Sequence, residues 1–322
     1  MRNVSRIAVL TSGGDAPGMN AAIRAVVRKG IFHNLRVFGV RHGYEGLIHG
    51  EIQELRVGSV ADIVHRGGTI LRTARSEEMM TLEGQQLAAR QLRRHDIDAL
   101  VVIGGDGSFR GAQSLAAQGI KVIGVPGTID NDIPGIDVTI GFDTAVNTVV
   151  EAVSKIRDTA TSHERTFVVE VMGRKCGSIA LQAGLACGAE TILIPEIPYQ
   201  MEEIVAKIKR GYERGKHHTI IIVSEGVGSG YQIGKDVHNS SGLDTKVTVL
   251  GHIQRGGSPT ANDAILAAVM GGKAVELILA GANEQMTACV NQKIEGVPLE
   301  LINGPKRGLD MELYKLAEEL SI

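Results

Sequence analysis

Residues 99–132 read ALVVIGGDGSFRGAQSLAAQGIKVIGVPGTIDND. Ala99–Ile103 is wholly apolar, the pattern of a strand covered on both faces within a parallel sheet. The turn Gly104-Gly105-Asp106-Gly107-Ser108 follows, then a helix-period stretch over Phe109–Ala117, then a second apolar run, Lys121–Val125, that stops at Pro126-Gly127. Strand, glycine turn, helix and strand make a βαβ unit, and such units build open, doubly wound α/β sheets. The order recurs on both sides. Upstream, Arg6–Thr11 reads as a strand, Ser12-Gly13-Gly14-Asp15 as a turn, and Met19 to about Phe32 as a helix that buries Ala22, Ile23, Val26 and Val27. Downstream, strands are expected at Thr166–Val171, Thr191–Ile194, Thr219–Ser224 and Val247–Leu250, with helices at Ala145–Arg157, Ser178–Ala186, Met201–Arg214 and Asn262–Leu279. The clearest boundary falls near Ile140–Gly141.

Composition sets the limits. The 322 residues are 43% hydrophobic and 22% charged, which excludes disorder for most of the chain. With no Trp and only five Phe and five Tyr, the core rests on Val, Ile, Leu and Ala. Glycine, 41 of 322 residues, runs well above the usual ~7% and belongs in turns or where backbone meets a ligand. A formal charge of −2 argues against wholesale nucleic-acid binding. The longest run without Asp, Glu, Lys or Arg, residues 176–189, is too short for the ~20 apolar residues of a membrane span. No signal peptide is evident, and Cys176, Cys187 and Cys289 show no metal spacing, so a reducing cytoplasm is expected.

Three loops carry the chemistry. Ser12–Gly18 joins a strand to a helix, where free N–H groups and the helix dipole meet anions; it is also simply a tight turn, and it matches neither GxGxxG nor GxxxxGK[ST]. Gly104–Ser108 repeats that geometry with a carboxylate. Asp106 suits Mg²⁺, which takes oxygen donors shared with substrate phosphates, or else caps the next helix. Pro126-Gly127-Thr128-Ile129-Asp130-Asn131-Asp132 sets two carboxylates two residues apart. One accepts the proton of an attacking alcohol and the other supports a metal, unless the loop is an Asx turn.

These loops, with Arg157-Asp158-Thr159, Ser162–Arg165, Val171-Met172-Gly173-Arg174 and Gly251-His252-Ile253-Gln254-Arg255-Gly256-Gly257, resemble the bacterial ATP-dependent 6-phosphofructokinase family nearly end to end. The resemblance implies two doubly wound, Rossmann-like α/β domains in the phosphofructokinase fold. The larger, ATP-binding one would be residues 1–140 plus 259–306, and the smaller, sugar-phosphate one residues 141–258 plus 307–322. It implies transfer of the ATP γ-phosphate to the 1-hydroxyl of fructose 6-phosphate. Asp130 would be the base with Thr128 beside it, Arg174 would meet charge on the moving phosphoryl group, and Asp106 would hold Mg²⁺ with Asp132 nearby. Gly14, Arg75, Ser76, Gly105, Asp106, Gly107 and Ser108 match the ATP site. Arg165, Met172, Gly173, Glu225, His252 and Arg255 match the sugar-phosphate site, as does Lys246, where the family usually has arginine; lysine keeps the charge and loses the bidentate fork.

The resemblance also implies a homotetramer, activated by ADP and inhibited by phosphoenolpyruvate. Arg24, Arg28, Arg157, Gly188, Glu190, Arg214, Lys216 and His218 match the effector positions; Arg24 and Arg28 lie four apart on one helix face and can reach one anion. Glu164 and Arg165 are expected to exchange places between states. Gly107 and Gly127 favour ATP, because pyrophosphate-dependent relatives carry aspartate and lysine there. The rival readings are another phosphosugar or pyrophosphate as substrate, and an idle sensor, which should lack Asp106, Asp130 or Arg174.

Overall fold

A computed structural model describes residues 4–305 and 308–321. In chain order the first elements are β1 (Arg6–Thr11), α1 (Met19–Phe32), β2 (Arg36–Val40), α2 (Gly43–Ile48), β3 (Ile52–Leu55), α3 (Leu82–Arg94), β4 (Ala99–Gly104), α4 (Asp106–Ala117) and β5 (Lys121–Pro126). Then come α5 (Phe142–His163), β6 (Thr166–Val171), α6 (Ser178–Ala186), β7 (Thr191–Leu193), α7 (Met201–Glu213), β8 (Thr219–Ser224), α8 (Gly230–Ser241) and β9 (Thr245–Val249). The last are α9 (Ala261–Leu279), β10 (Gln285–Val290), β11 (Lys293–Pro298) and α10 (Met311–Leu320).

The chain divides into two compact units. Met1–Thr128, Ile133–Asp143 and Arg255–Arg307 form the first; Ile129–Asp132, Thr144–Gln254 and Gly308–Ile322 form the second. The return to the first unit thus falls at Arg255 rather than at 259, and Ile129–Asp132 group with the second unit rather than the first. The last expected boundary, at 306/307, lies outside the described residues.

The first unit holds a seven-stranded sheet in the order β11-β10-β5-β4-β1-β2-β3. It is parallel apart from β3 on β2 and β11 on β10, whose antiparallel pairing ends the sheet at both edges. Every residue of β4 is buried, as its unbroken apolar run requires. Ala8 and Leu10 point to the face covered by α2, α3 and α4, where they meet Leu47, Leu92, Phe109 and Leu115. On the other side α1 packs on α9, and small residues let the two approach: a Cβ on Gly271 would sit 2.7 Å from the Ala22 carbonyl oxygen. Each fully buried Leu or Phe stabilises the unit by about 1.5–3 kcal/mol.

The second unit holds a four-stranded, all-parallel sheet in the order β7-β8-β6-β9. Val168, Ile221 and Val223 pack there against Ile204 and Ile208 of α7 and Ile233 and Val237 of α8. Some expected bounds move. Helix α4 starts at Asp106 instead of Phe109, because Gly105 is its N-cap and the glycine turn winds directly into it. Helix α5 runs on to His163, its last two turns polar and mostly exposed. Strand β9 begins at Thr245, where Thr166 pairs with it.

Candidate active site

In the first unit, parallel register places three carboxyl strand ends side by side. Thr11 pairs with Ile103 and Gly104 with Pro126. The Ser12 amide donates to the Ile103 carbonyl and the Gly127 amide to the Gly104 carbonyl, each at 3.0 Å. The glycine loops after β1, β4 and β5 therefore leave the sheet as neighbours, at the edge where open α/β sheets bind ligands. They touch closely enough that a Cβ on Gly104 would meet the Ser12 carbonyl and the Ser108 hydroxyl. Asp106 is the first residue of α4; its Oδ1 accepts from the Gly107 amide at 2.7 Å and its Oδ2 lies 3.5 Å from Arg110 Nη2. It is thus the acid of the first helical turn and not the cap.

Gly105 faces only Thr128, at 3.7 Å from a would-be Cβ, and around Gly107 nothing lies within 4 Å. Gly127 differs: a Cβ there would crowd Ile103 at 3.1 Å and Met19 at 3.3 Å, so packing alone asks for glycine. Thr128 is held through its backbone, its amide donating to Ile140 and its carbonyl accepting from the Thr139 hydroxyl at 2.7 Å. The segment bearing exposed Arg75 and half-buried Ser76 is tied to the first loop by Thr73, whose hydroxyl donates to Gly13 at 2.7 Å. The Arg255 guanidinium lies over Gly14, where a Cβ would collide with it, and donates to the Asp15 carbonyl at 3.2 Å. That bond places Arg255 with the first unit.

In the second unit Asp130 is 1% exposed, and its Oδ2 lies 3.3 Å from Arg174 Nε. A charged carboxylate so far from water requires a compensating charge. Arg174 meets it through Nε, and its side chain is 56% exposed. Glu225 accepts from the Gly173 amide at 3.2 Å and from the Arg174 amide at 2.8 Å, so its carboxylate shapes this turn. Arg174 and Asn131 both hold left-handed backbones, φ 53° and 52°, in which non-glycine residues are strained. Gln254, fully buried, accepts from the Met172 amide at 3.2 Å and donates to the Gly251 carbonyl at 3.0 Å. Sequence reasoning quoted Gln254 in its motif without a role. Its sign was an amide among residues that otherwise suit anions.

Arg165 and Lys246 come together because β6 pairs with β9. One carboxylate, Asp244, takes Arg165 Nε at 2.6 Å and Lys246 Nζ at 2.8 Å. The Lys246 hydrogen bond, seconded by Arg165, holds the Asp244 carboxyl below the usual carboxylate range. Asp244 is a residue the sequence reading passed over. Glu164, at φ 51°, follows α5 with its side chain exposed, and His252 is exposed on a short turn of helix.

Five of the expected effector residues gather around Glu190, 8% exposed. Its carboxylate pairs with Lys216, accepts the Ile220 amide at 2.5 Å and lies 3.8 Å from Arg157. Arg157 also donates to the carbonyls of Cys187 and Gly188, at 2.6 and 3.1 Å. Burial, reinforced by Lys216 and Arg157 and opposed by Glu190, holds the His218 imidazole below its ordinary value. Arg214 is exposed beside this group, lining a small cleft with Glu190 and Lys216. Arg24 and Arg28 lie on α1, in the first unit.

Glycine loops at adjacent strand ends, and a buried carboxylate paired with a half-exposed guanidinium, suit an enzyme that moves a phosphoryl group between oxygens. The Phosphofructokinase family matches residues 6–278. The chain is 60% identical over 319 residues to an ATP-dependent 6-phosphofructokinase of Shouchella clausii (strain KSM-K16), covering 99% of this chain and 100% of that one. An ATP-dependent 6-phosphofructokinase of Bacillus mycoides (strain KBAB4) is 59% identical, with the same coverage. Among solved structures, phosphofructokinase from Saccharomyces cerevisiae matches with TM-score 0.87 and 39% identity over 98% of this chain, which spans 47% of that one. A pyrophosphate-dependent phosphofructokinase of Marinobacter aquaeolei, at 24% identity and TM-score 0.86, covers 96% of this chain and 86% of its own, and it bears on the fold alone. The chain belongs to the phosphofructokinase family and is an enzyme of that class.

Proposed function

We propose that this enzyme transfers the γ-phosphoryl group of ATP to the 1-hydroxyl of fructose 6-phosphate, giving fructose 1,6-bisphosphate and ADP in glycolysis. The observation that supports this most is the Asp130–Arg174 contact at 3.3 Å, which joins two roles inferred from separate motifs. Asp130 accepts the hydroxyl proton as the sugar oxygen attacks the γ-phosphorus; the bond to the bridging oxygen breaks, and ADP leaves. The guanidinium of Arg174 meets the charge on the equatorial oxygens. Gly14, Gly105, Gly107 and Ser108 give the nucleotide phosphates a close approach to backbone, with Arg75 and Ser76 bordering it. Met172, Gly173, Glu225 and His252 place the sugar and Arg255 takes its 6-phosphate, while Arg165 and Lys246 serve the sugar phosphate of a neighbouring subunit.

The donor set fits Mg²⁺. Asp106 is a partly exposed carboxylate beside open space at Gly107, and Mg²⁺ asks a protein for one or two carboxylates and takes its other oxygens from phosphates and water. Asp132, 4% exposed, is the less accessible of the two residues. Among the described residues no three His, Cys, Asp or Glu side chains gather as a metal site. When bound, Mg²⁺ supplies charge neutralisation on the phosphates.

The regulatory part of the reading is that ADP activates and phosphoenolpyruvate inhibits through the Glu190 cluster with Arg24, Arg28 and Arg214, in a cytoplasmic homotetramer four times the 34.2 kDa chain. Glu190 carries two cations, Lys216 and Arg157, and in this reading it orders the basic residues for an incoming anion. No helix among the described residues is long and apolar enough to cross a membrane.

A coupled assay tests the core of this. Fructose 6-phosphate should be phosphorylated with ATP and not with pyrophosphate, and Asp130→Ser should lower kcat by several orders of magnitude with KM nearly kept. Turnover with pyrophosphate but not ATP overturns the donor assignment, and a near-normal kcat in Asp130→Ser overturns the base.

A further inference from the structure

The second unit carries a cavity of about 540 Å³ between β7, α7 and α10, within the range of small-molecule sites. Ile192, Ile197 and Ile204 make it apolar on one side, and Tyr199 and Tyr314 add two aromatic rings. Lys207, Arg210 and Arg214 follow at helical spacing along α7 and its cap, so they share one side of the helix. Lys207 pairs with Glu318 of α10 at 3.3 Å, whereas Arg210 and Arg214 have no carboxylate in ion-pair range among the described residues. Burial, with Glu318 and Glu203 nearby, raises the Tyr314 phenol, which therefore stays a donor. Thr191, its hydroxyl buried without a hydrogen-bond partner, stands in the wall shared with the cleft that reaches Glu190.

We propose that this cavity binds an aromatic anion, with its flat body against the tyrosines and isoleucines and its phosphate, sulfonate or carboxylate on Arg210 and Arg214. Two arginines without counter-charges at the rim of an apolar hollow select a ligand that is itself half apolar and half anionic. Such a ligand bridges α7 and α10. Helix α10 buries only Ala317 of its own residues and leaves Leu316 and Leu320 exposed, so an occupant adds contact where the helix has little. The site shares Arg214 with the proposed effector cluster, is separate from the catalytic residues and does not depend on the donor or sugar assignment.

The probe is 8-anilino-1-naphthalenesulfonate, titrated into the full-length protein with fructose 6-phosphate saturating and no nucleotide present. One dye per chain should bind with blue-shifted emission, at least tenfold more weakly in Arg210→Ala. Lys209→Ala changes an exposed lysine outside the lining and should bind as the parent does, and so should Lys216→Ala. Unchanged melting temperatures in Arg210→Ala and Lys209→Ala show that the fold is kept. The proposal fails if no stoichiometric binding occurs or if Arg210→Ala binds equally well. It fails also if Lys209→Ala weakens binding as much, or if Lys216→Ala abolishes it, which places the dye at the Glu190 cluster.

Discussion

Gly107 sits in the first turn of α4 with nothing within 4 Å of a would-be Cβ, so the fold places no demand on glycine there. Replacing it should even help the helix, since glycine in a helix costs about 0.5–1 kcal/mol and acid in the first turn is favourable. The proposed nucleotide explains the glycine instead. Gly107→Asp is therefore expected to leave the melting temperature equal or higher while activity with ATP falls at least a hundredfold. A folded variant with normal ATP kinetics removes the argument for the donor from Gly107. Gly127 cannot carry the same weight, because Ile103 and Met19 crowd it. Arg174 makes the complementary case: its left-handed backbone, φ 53°, is held by Glu225, which accepts from its amide at 2.8 Å.

At the scale of elements, legibility followed apolar density. Strands β1, β6 and β8 and helices α1 and α6 lie where periodicity put them, because each is a dense run bounded by glycine or polar residues. Helix α8 was missed: GYQIGKDVHNSS offers only Ile233 and Val237 to a core, and its N-terminus is held by a distant acid, Glu170, accepting from the Gly230 amide at 2.7 Å. The hairpin of β10 and β11 was missed because its pairing with β5 is non-local. The site was legible as motifs, whereas Asp244, Gln254 and the contacts of Glu190 needed the fold. The loop before β8 carries a test of that last cluster. His218 is held below its ordinary value of 6.5, so the folded state binds fewer protons than the unfolded one as pH falls past 6.5. Its contribution to stability is present above that pH and is lost as pH drops through the folded value. Urea midpoints from pH 7.5 to about 5 should fall less steeply in His218→Gln than in the parent. An anion in the cluster favours the charged imidazole, so phosphoenolpyruvate should bind more tightly as pH falls toward 6. Identical pH slopes in parent and variant would sink both expectations.

For the whole molecule, the decisive feature is that the chain passes from one unit to the other at 128/129, 132/133, 143/144 and 254/255, with the residues from 308 onward again in the second. The family resemblance led to an expectation of crossings at 140/141, 258/259 and 306/307, whereas the excursion of Ile129–Asp132 into the second unit was not foreseen. The interleaving also links the stabilities of the units. If the first unit unfolds while the second holds, Ile133–Asp143 remains a loop pinned at both ends. Pinning a loop of that length removes roughly 3 kcal/mol of the unfolded state's entropy, as a cross-link does. If the second unit unfolds first, Ile129–Asp132 and Thr144–Gln254 are pinned in the same way. Each unit therefore raises the cost of unfolding the other, and the two should unfold together. Tyrosine emission makes this measurable, because the chain has no Trp and four of its five tyrosines, Tyr199, Tyr212, Tyr231 and Tyr314, lie in the second unit, with Tyr44 alone in the first. Far-UV circular dichroism reports the helices of both. In urea at fixed protein concentration, the two probes should give one coincident transition. A tyrosine transition that clearly leads or lags the dichroism means that the units unfold independently and that the shared crossings do not couple them.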